Sequence, residues 1–161
     1  MQNPKVLFAT GIGTVTGSNF LLQSPAGANI LIDCGLVQGE RVALDINRAP
    51  FAYDTSSIRA LLVTHAHLDH VGRIPKLVKE GFRGVIYSTP QTRALAELVL
   101  NDAVGILAEE ARHDGVLPLY EAGDVERVFP LWKTVPYHEA FNPAADVSVL
   151  FKDAGPILGS S

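Results

Sequence analysis

The sequence predicts a mixed α/β layered domain, and three observations lead there. The chain opens with three short strand-like runs joined by turn residues. It then alternates apolar strands with helical segments, and 47% of its 161 residues are hydrophobic against 19% charged. That composition suits one domain with a packed core and excludes a disordered chain. A formal net charge of -4 with a pI near 5.7 argues against holding nucleic acid by bulk electrostatics, while leaving a local basic face open.

Taken in order, residues 6–10 read as a strand, followed by a glycine-rich stretch over 11–18 and a second strand over 19–23. Ser24-Pro25-Ala26-Gly27 is a turn signal leading to a third strand over 28–33, which completes an antiparallel meander. A glycine-rich loop after a strand also raises the dinucleotide-binding fingerprint. That fingerprint fails here, because Thr16 holds its third glycine position and Ser24-Pro25-Ala26-Gly27 would break the crossover helix it needs. Residues 36–57 are irregular and polar, which predicts a long loop. An apolar strand then runs from Ala60 to Thr64, and 74–80 has helical spacing ended by Gly81.

The next strand is 84–88, after which Thr89 and Pro90 supply an N-cap and a first-turn proline for a helix over 91–113. Leu95, Leu98, Val99, Ile106 and Leu107 recur at helical spacing there and predict its buried face. Residues 124–129 read as a short helix, and 134–137 and 147–152 as strands. There is no internal repeat or low-complexity tract. Cys34 is the sole cysteine, so no intramolecular disulfide can form, and it reads as a small buried hydrophobe in a reducing compartment. Residues 1–5 lack the apolar core of a secretory signal and no apolar run reaches membrane-spanning length, so a cytoplasmic location with no membrane partner is expected.

Chemistry concentrates between the Ala60 strand and the helix at Ile74. Residues 64–73 read Thr-His-Ala-His-Leu-Asp-His-Val-Gly-Arg, with three histidines and one carboxylate within six positions. Imidazole and carboxylate are the ligands preferred by zinc and similar ions in catalytic sites. His65 and His67, two apart in extended chain, can point to one side. Asp69 and His70 lie where the backbone turns and can face a second ion, giving two adjacent sites on one loop. A solvated histidine-rich loop is disfavoured by the apolar strand feeding it, and burying four such groups without a cation is costly. His113 and His138 stand alone and carry no such expectation. Arg73, Lys76, Lys79 and Arg83 fall at spacings that share one helix face, which predicts a solvated outer face or, as a hypothesis, a phosphate-contacting one.

The strand-end H-x-H-x-D-H formed by His65, His67, Asp69 and His70 resembles the signature of the metallo-β-lactamase superfamily. Residues 16–22, Ile32-Asp33-Cys34-Gly35, 64–73, Asp153-Ala154-Gly155 and Ile157-Leu158-Gly159-Ser160 together resemble its β-CASP branch of RNA-processing and DNA-processing nucleases. The resemblance implies an αββα sandwich with a metal site at one sheet edge. It also implies two zinc ions, with manganese an alternative: His65 and His67 on the first, Asp69 and His70 on the second. Asp33 would match the family's first acidic motif and orient a ligand imidazole. A hydroxide held by the ions and positioned through Asp69 and His70 would cleave a phosphodiester bond in single-stranded RNA.

Two departures qualify that implication. Pro156 stands where the family places a histidine after Asp-Ala-Gly, leaving the first site short of a ligand. The sequence also resembles only the N-terminal part of such a nuclease, without the β-CASP insertion, the bridging aspartate or the late histidine. Weak turnover by residues 1–161 is therefore expected. Two other functions remain open: hydrolysis of a small ester or thioester on the same fold, and a non-catalytic subunit that pairs with a second copy or a complete subunit.

Overall fold

A computed structural model describes residues 3–11, 16–39 and 43–161. Strands β1 (Lys5–Thr10), β2 (Asn19–Gln23) and β3 (Asn29–Ile32) form the antiparallel meander the sequence predicts. The sheet continues through β4 (Ile58–Leu62), β5 (Val85–Ser88) and β6 (Trp132–Thr134), each parallel to its neighbour, in the order β1-β2-β3-β4-β5-β6. Parallel strands need crossovers, and helices supply them: α1 (Ala43–Arg48), α2 (Leu68–Val71), α3 (Ile74–Lys79), α4 (Pro90–Asp114) and α5 (Ala122–Glu126). A separate hairpin pairs β7 (Ala140–Ala144) with β8 (Val147–Leu150).

Strand alternation divides the core in two. Leu31, Leu61 and Ile86 point to the helices and pack with Val71, Ile74, Leu77 and Leu100. Ile30, Ala60 and Leu62 point the other way and are covered by Ala144 and Phe141 of the hairpin. Helices, six-stranded sheet and hairpin therefore form three successive layers, a mixed α/β architecture with the mixed sheet expected. Fully burying one such aliphatic side chain stabilises the fold by about 1.5–3 kcal/mol.

Several elements depart from the sequence reading for identifiable reasons. Residues 36–57 are not one loop: they contain α1 and a 3-10 turn at Thr55–Ser57. The six residues of α1 are too few to display a period. A pair of side-chain bonds anchors the helix, with Val37 N donating to Asn47 Oδ1 and Asn47 Nδ2 donating to Val37 O, both at 2.9 Å. β6 begins at Trp132 because its indole N–H donates to Ser88 Oγ at 2.8 Å and the ring packs into the core, so the expected strand at 134–137 forms earlier. α5 also starts early, set by a reciprocal capping box between Glu121 and Asp124. β7 escaped notice because Pro143 interrupts it.

In α4 the expected cap is present: Thr92 N donates to Thr89 Oγ1 at 3.2 Å, and Gly115 at φ 67° closes the far end. The expected buried face is corrected in part: Leu95, Val99 and Leu107 pack against the core as expected. Leu98 is 69% exposed and Ile106 52%, while Thr92, Ala96, Leu100, Ala103 and Ala111 face the core. Small residues let the helix lie close to the sheet, and a reading weighted to large hydrophobes passes over alanine.

The basic face is corrected as well. Arg73 and Lys76 are 3% and 4% exposed, neither solvated nor free to meet a phosphate backbone. Arg73 donates to Gly35 O at 2.6 Å and to Thr10 Oγ1 at 2.9 Å. Lys76 donates to Ala49 O at 2.7 Å, pairs with Glu80 at 2.9 Å and lies 4.2 Å from the Phe51 ring centroid. Lys79 pairs with Asp124, and Arg83 donates to the Val78 and Phe82 carbonyls. Buried cations must be paired, and Arg73 and Lys76 tie loops to the helices, whereas Lys79 and Arg83 are exposed, as expected of a solvated face.

Candidate metal centre

The histidine turn leaves the carboxyl end of β4, the edge at which parallel α/β sheets place ligands. Residues 33–36, leaving β3, are stitched to it: Cys34 N donates to His70 O at 2.8 Å, Leu36 N to Leu68 O at 3.1 Å, and Arg73 N to Cys34 O at 2.8 Å. Ser18 N donates to Asp69 O at 2.9 Å, and Gly35 N to Ser18 O at 2.9 Å. The crossing is so close that a Cβ on Gly35 would sit 1.5 Å from Asp69 O. Glycine is required there by contact, not by conformation. Ile12 to Val15 of the glycine-rich stretch lie outside the described residues, while Gly17, at φ 87°, packs against Val37.

At the centre is Asp33, buried and in the left-handed region at φ 57°, which aspartate tolerates better than most residues. Its carboxylate accepts three hydrogen bonds: from Thr64 N at 2.8 Å, from Thr64 Oγ1 at 2.8 Å and from His70 Nδ1 at 2.8 Å. With a proton on Nδ1, His70 has a lone pair on Nε2, and that atom faces Asp69 Oδ2 at 3.6 Å. His65 Nε2 faces His67 Nδ1 at 3.1 Å, and the His65 and His70 ring centroids are 3.9 Å apart. The four residues picked out in the sequence thus come together as two adjacent pairs, with Asp33 beneath His70.

The electrostatics of the two inner imidazoles diverge. Burial, then the neighbouring His70, pulls His65 below the ordinary histidine range. Burial also pulls His70 down, but the hydrogen bond and charge of Asp33, followed by the charge of Asp69, outweigh it and leave the pKa raised. Cys34 is buried as expected, with burial pushing its thiol up to about 12, so it is no thiolate ligand. His113 is an exposed partner of Asp114, and His138 lies on the chain before β7.

The donor chemistry fits a divalent cation. Two ligands on one tetrahedral zinc at about 2.0–2.1 Å are separated by about 3.3 Å, and the His65–His67 and Asp69–His70 pairs fall on either side of that value. An Asp69 oxygen facing an unprotonated Nε2 has no proton between acceptors, which a cation would relieve. Among the described residues, no three His, Cys, Asp or Glu side chains gather into one coordination set. Each pair therefore offers two donors and not a complete coordination set. A cavity of about 510 Å³ between α1 and the far half of α4 touches the turn through Leu68 and contains none of the four.

The segment after β8 returns to this edge. Ser161 N donates to Thr64 O at 2.9 Å, Tyr137 OH to Ser160 O at 2.7 Å, and Thr89 and Thr92 hydroxyls to Gly159 O at 2.6 and 2.8 Å. Pro156 is exposed within it. Thr64, which touches Asp33, His65 and the terminal segment, had no role in the sequence reading; its signal was a hydroxyl residue directly before the cluster.

The architecture is that of an α/β protein whose sheet-edge turn brings imidazole and carboxylate groups together in pairs above a buried aspartate. The Metallo-beta-lactamase superfamily model matches residues 12–149, and the chain belongs to that superfamily. It is 42% identical over 147 residues to Ribonuclease TTHA0252 of Thermus thermophilus, covering 91% of this chain and 31% of the relative. It is 38% identical over 156 residues to the transcription termination factor FttA of Methanosarcina mazei, covering 94% and 23%. The chain thus spans under a third of the length of these curated relatives. Among solved structures, zinc-bound PqqB from Methylobacterium extorquens is similar at TM-score 0.48 and 16% identity, over 83% of this chain and 38% of that one. The recognition made from the motifs is borne out. No helix among the described residues is long and apolar enough to cross a membrane.

Proposed function

We propose that the chain carries the metal-binding half of a hydrolase of the ribonuclease type, acting on phosphodiester bonds of single-stranded RNA. The observation that carries this reading is the pairing of His65 Nε2 with His67 Nδ1 and of His70 Nε2 with Asp69 Oδ2. His65 and His67 would hold one ion and Asp69 and His70 the other, with zinc or manganese suited to the donor set. When bound, such ions lower the pKa of coordinated water and polarise a phosphoryl oxygen. Asp33 holds the proton on His70 Nδ1 and keeps its Nε2 available. The names of the relatives, a ribonuclease and a transcription termination factor, support RNA as substrate.

Pro156 offers no donor at the position where the family resemblance places a histidine, so the first site is the weaker one and turnover by these 161 residues is low. Metal content of the purified chain by elemental analysis, with Asp69→Ala/His70→Ala as control, tests the site. Parallel assays on single-stranded RNA, thioesters and lactams test the substrate. A metal-free chain whose zinc titration is flat overturns the reading, and hydrolysis of the small substrates alone overturns the RNA part. Pro156→His should tighten the weaker site.

A second reading rests on β1, which ends the sheet with Val6, Leu7 and Phe8 all about half exposed. An apolar edge strand favours pairing with a second copy or a complete subunit. Light scattering on the eluting species decides it, since a monomer at high concentration excludes a homo-oligomer.

A further inference from the structure

We propose that Thr64 is a positioning residue that fixes the tautomer of His65, extending the influence of Asp33 from one ligand pair to the other. A hydroxyl has one proton and two lone pairs. Thr64 Oγ1 lies 2.8 Å from Asp33 Oδ2 and 3.0 Å from His65 Nδ1. The carboxylate can only accept, so the hydroxyl proton goes to Asp33. The oxygen then offers His65 Nδ1 a lone pair and selects the Nδ1–H form, leaving Nε2 free toward His67.

The competing geometry is weaker. Thr64 Oγ1 is also 3.4 Å from His70 Nδ1, but that nitrogen is 2.8 Å from Asp33 Oδ2, where a charged acceptor takes its proton. Were the hydroxyl to donate to His65 instead, Asp33 would lose a bond. His65 would then carry its proton on Nε2, pointed into the pair.

Thr64 has little freedom to make that change. Its backbone N–H donates to the other oxygen of the same carboxylate at 2.8 Å, and its carbonyl accepts from Ser161 N at 2.9 Å. Its branched Cβ further restricts χ1. One buried carboxylate thereby sets both inner imidazoles, His70 directly and His65 through a single hydroxyl. The terminal segment bonds to the same residue, so its docking bears on His65.

The metal readout of this inference rests on the proposed function, but its tautomer readout does not. Long-range ¹⁵N–¹H correlation spectra of the metal-free 161-residue chain, at about pH 8 where ordinary imidazoles are neutral, report which nitrogen carries the proton. The wild type and Thr64→Ser should show His65 as Nδ1–H, and Thr64→Val should shift it toward Nε2–H while His70 stays Nδ1–H. Zinc calorimetry should then show binding weakened about 10- to 100-fold in Thr64→Val and restored in Thr64→Ser, the range usual for partners of ligand side chains. His65 found as Nε2–H in the wild type overturns the proposal even if Thr64→Val does not fold. So does an unchanged tautomer in a folded Thr64→Val. The expected tautomers with no zinc binding sustain the role of Thr64 and overturn the metal reading instead.

Discussion

Asparagine at position 33 is the cleanest test of what holds the candidate metal centre in shape. The substitution tolerates the left-handed backbone at φ 57° as aspartate does, so conformational strain does not confound the result. It removes the charge and one of two acceptor oxygens while keeping the volume. Three donors converge on the native carboxylate, each at 2.8 Å. The single amide oxygen can keep Thr64 N, which sets the new NH₂ group against Thr64 Oγ1 and His70 Nδ1. Both must then reorient to accept. Hydrogen bonds to a charged group contribute about 1.5–3 kcal/mol and neutral ones about 0.5–1.5 kcal/mol, so the expected cost is about 2–4 kcal/mol. Urea unfolding of the metal-free chain measures it. Against a typical stability of about 5–15 kcal/mol the midpoint should fall visibly. Asp33→Ala should cost about 1 kcal/mol more, because alanine lacks the local hydrogen bonds that make positive φ tolerable. A loss below about 0.5 kcal/mol for Asp33→Asn, the scale of a neutral surface change, would refute the role assigned to the carboxylate.

Other outcomes follow from the same geometry. In the metal-free chain, NMR titration should place the His65 midpoint below the ordinary histidine value of about 6.5 and that of His70 above it. Their linkage to stability then has opposite signs. The His70 contribution is complete below the unfolded value and lost as pH rises through its raised folded value. That of His65 is present above the unfolded value and lost as pH falls through its lowered one. Gly35→Ala should abolish the cooperative unfolding transition seen by circular dichroism, since the added methyl would stand 1.5 Å from a backbone oxygen. Lys76→Ala should destabilise by about 1–3 kcal/mol and leave the salt dependence of RNA binding unchanged, because its ammonium is committed to Ala49 and Glu80. A reduced salt slope would restore the phosphate-contact hypothesis.

Local patterns were legible in the sequence wherever a short-range rule governs them. Turn residues at 24–27 announced the meander, Thr89 and Pro90 announced α4, and the crowding of His65, His67, Asp69 and His70 marked the turn where these side chains meet in pairs. What escaped depends on tertiary contact. The spacing that put Arg73 and Lys76 on an outer face holds for a helix whose other side alone is covered, whereas residues 49–53 cover this side too, with Phe51 against both cations. α1 is too short to show a period and is held by Asn47 bonding to Val37 across the loop. Alanines carry the buried face of α4, a feature visible only once the helix is seen close to the sheet. Thr64 was legible as a residue but not as a relay, because its two hydrogen-bond partners, the Asp33 carboxylate and the His65 ring, meet only after β3 and β4 pair.

That pairing explains why the site can be formed before any ligand arrives. Parallel β3 and β4 bring Ile32 opposite Leu62, so Asp33, directly after β3, and Thr64, two residues past the end of β4, emerge side by side at one edge. Asp33 N donates to Leu62 O at 2.9 Å, and its side chain bonds the backbone of Thr64 in return. The left-handed turn at Asp33 then redirects the chain so that Cys34, Gly35 and Leu36 run beneath 68–73, and Arg73 ties the two together through Gly35 O. Each unfavourable feature, a positive φ, a buried carboxylate and a buried guanidinium, is answered by a partner from the other segment. Strain held this way persists only when the surroundings over-determine it. The His65, His67, Asp69 and His70 donors are consequently oriented by backbone bonds and one carboxylate, so a cation entering would meet donors already paired rather than having to gather them.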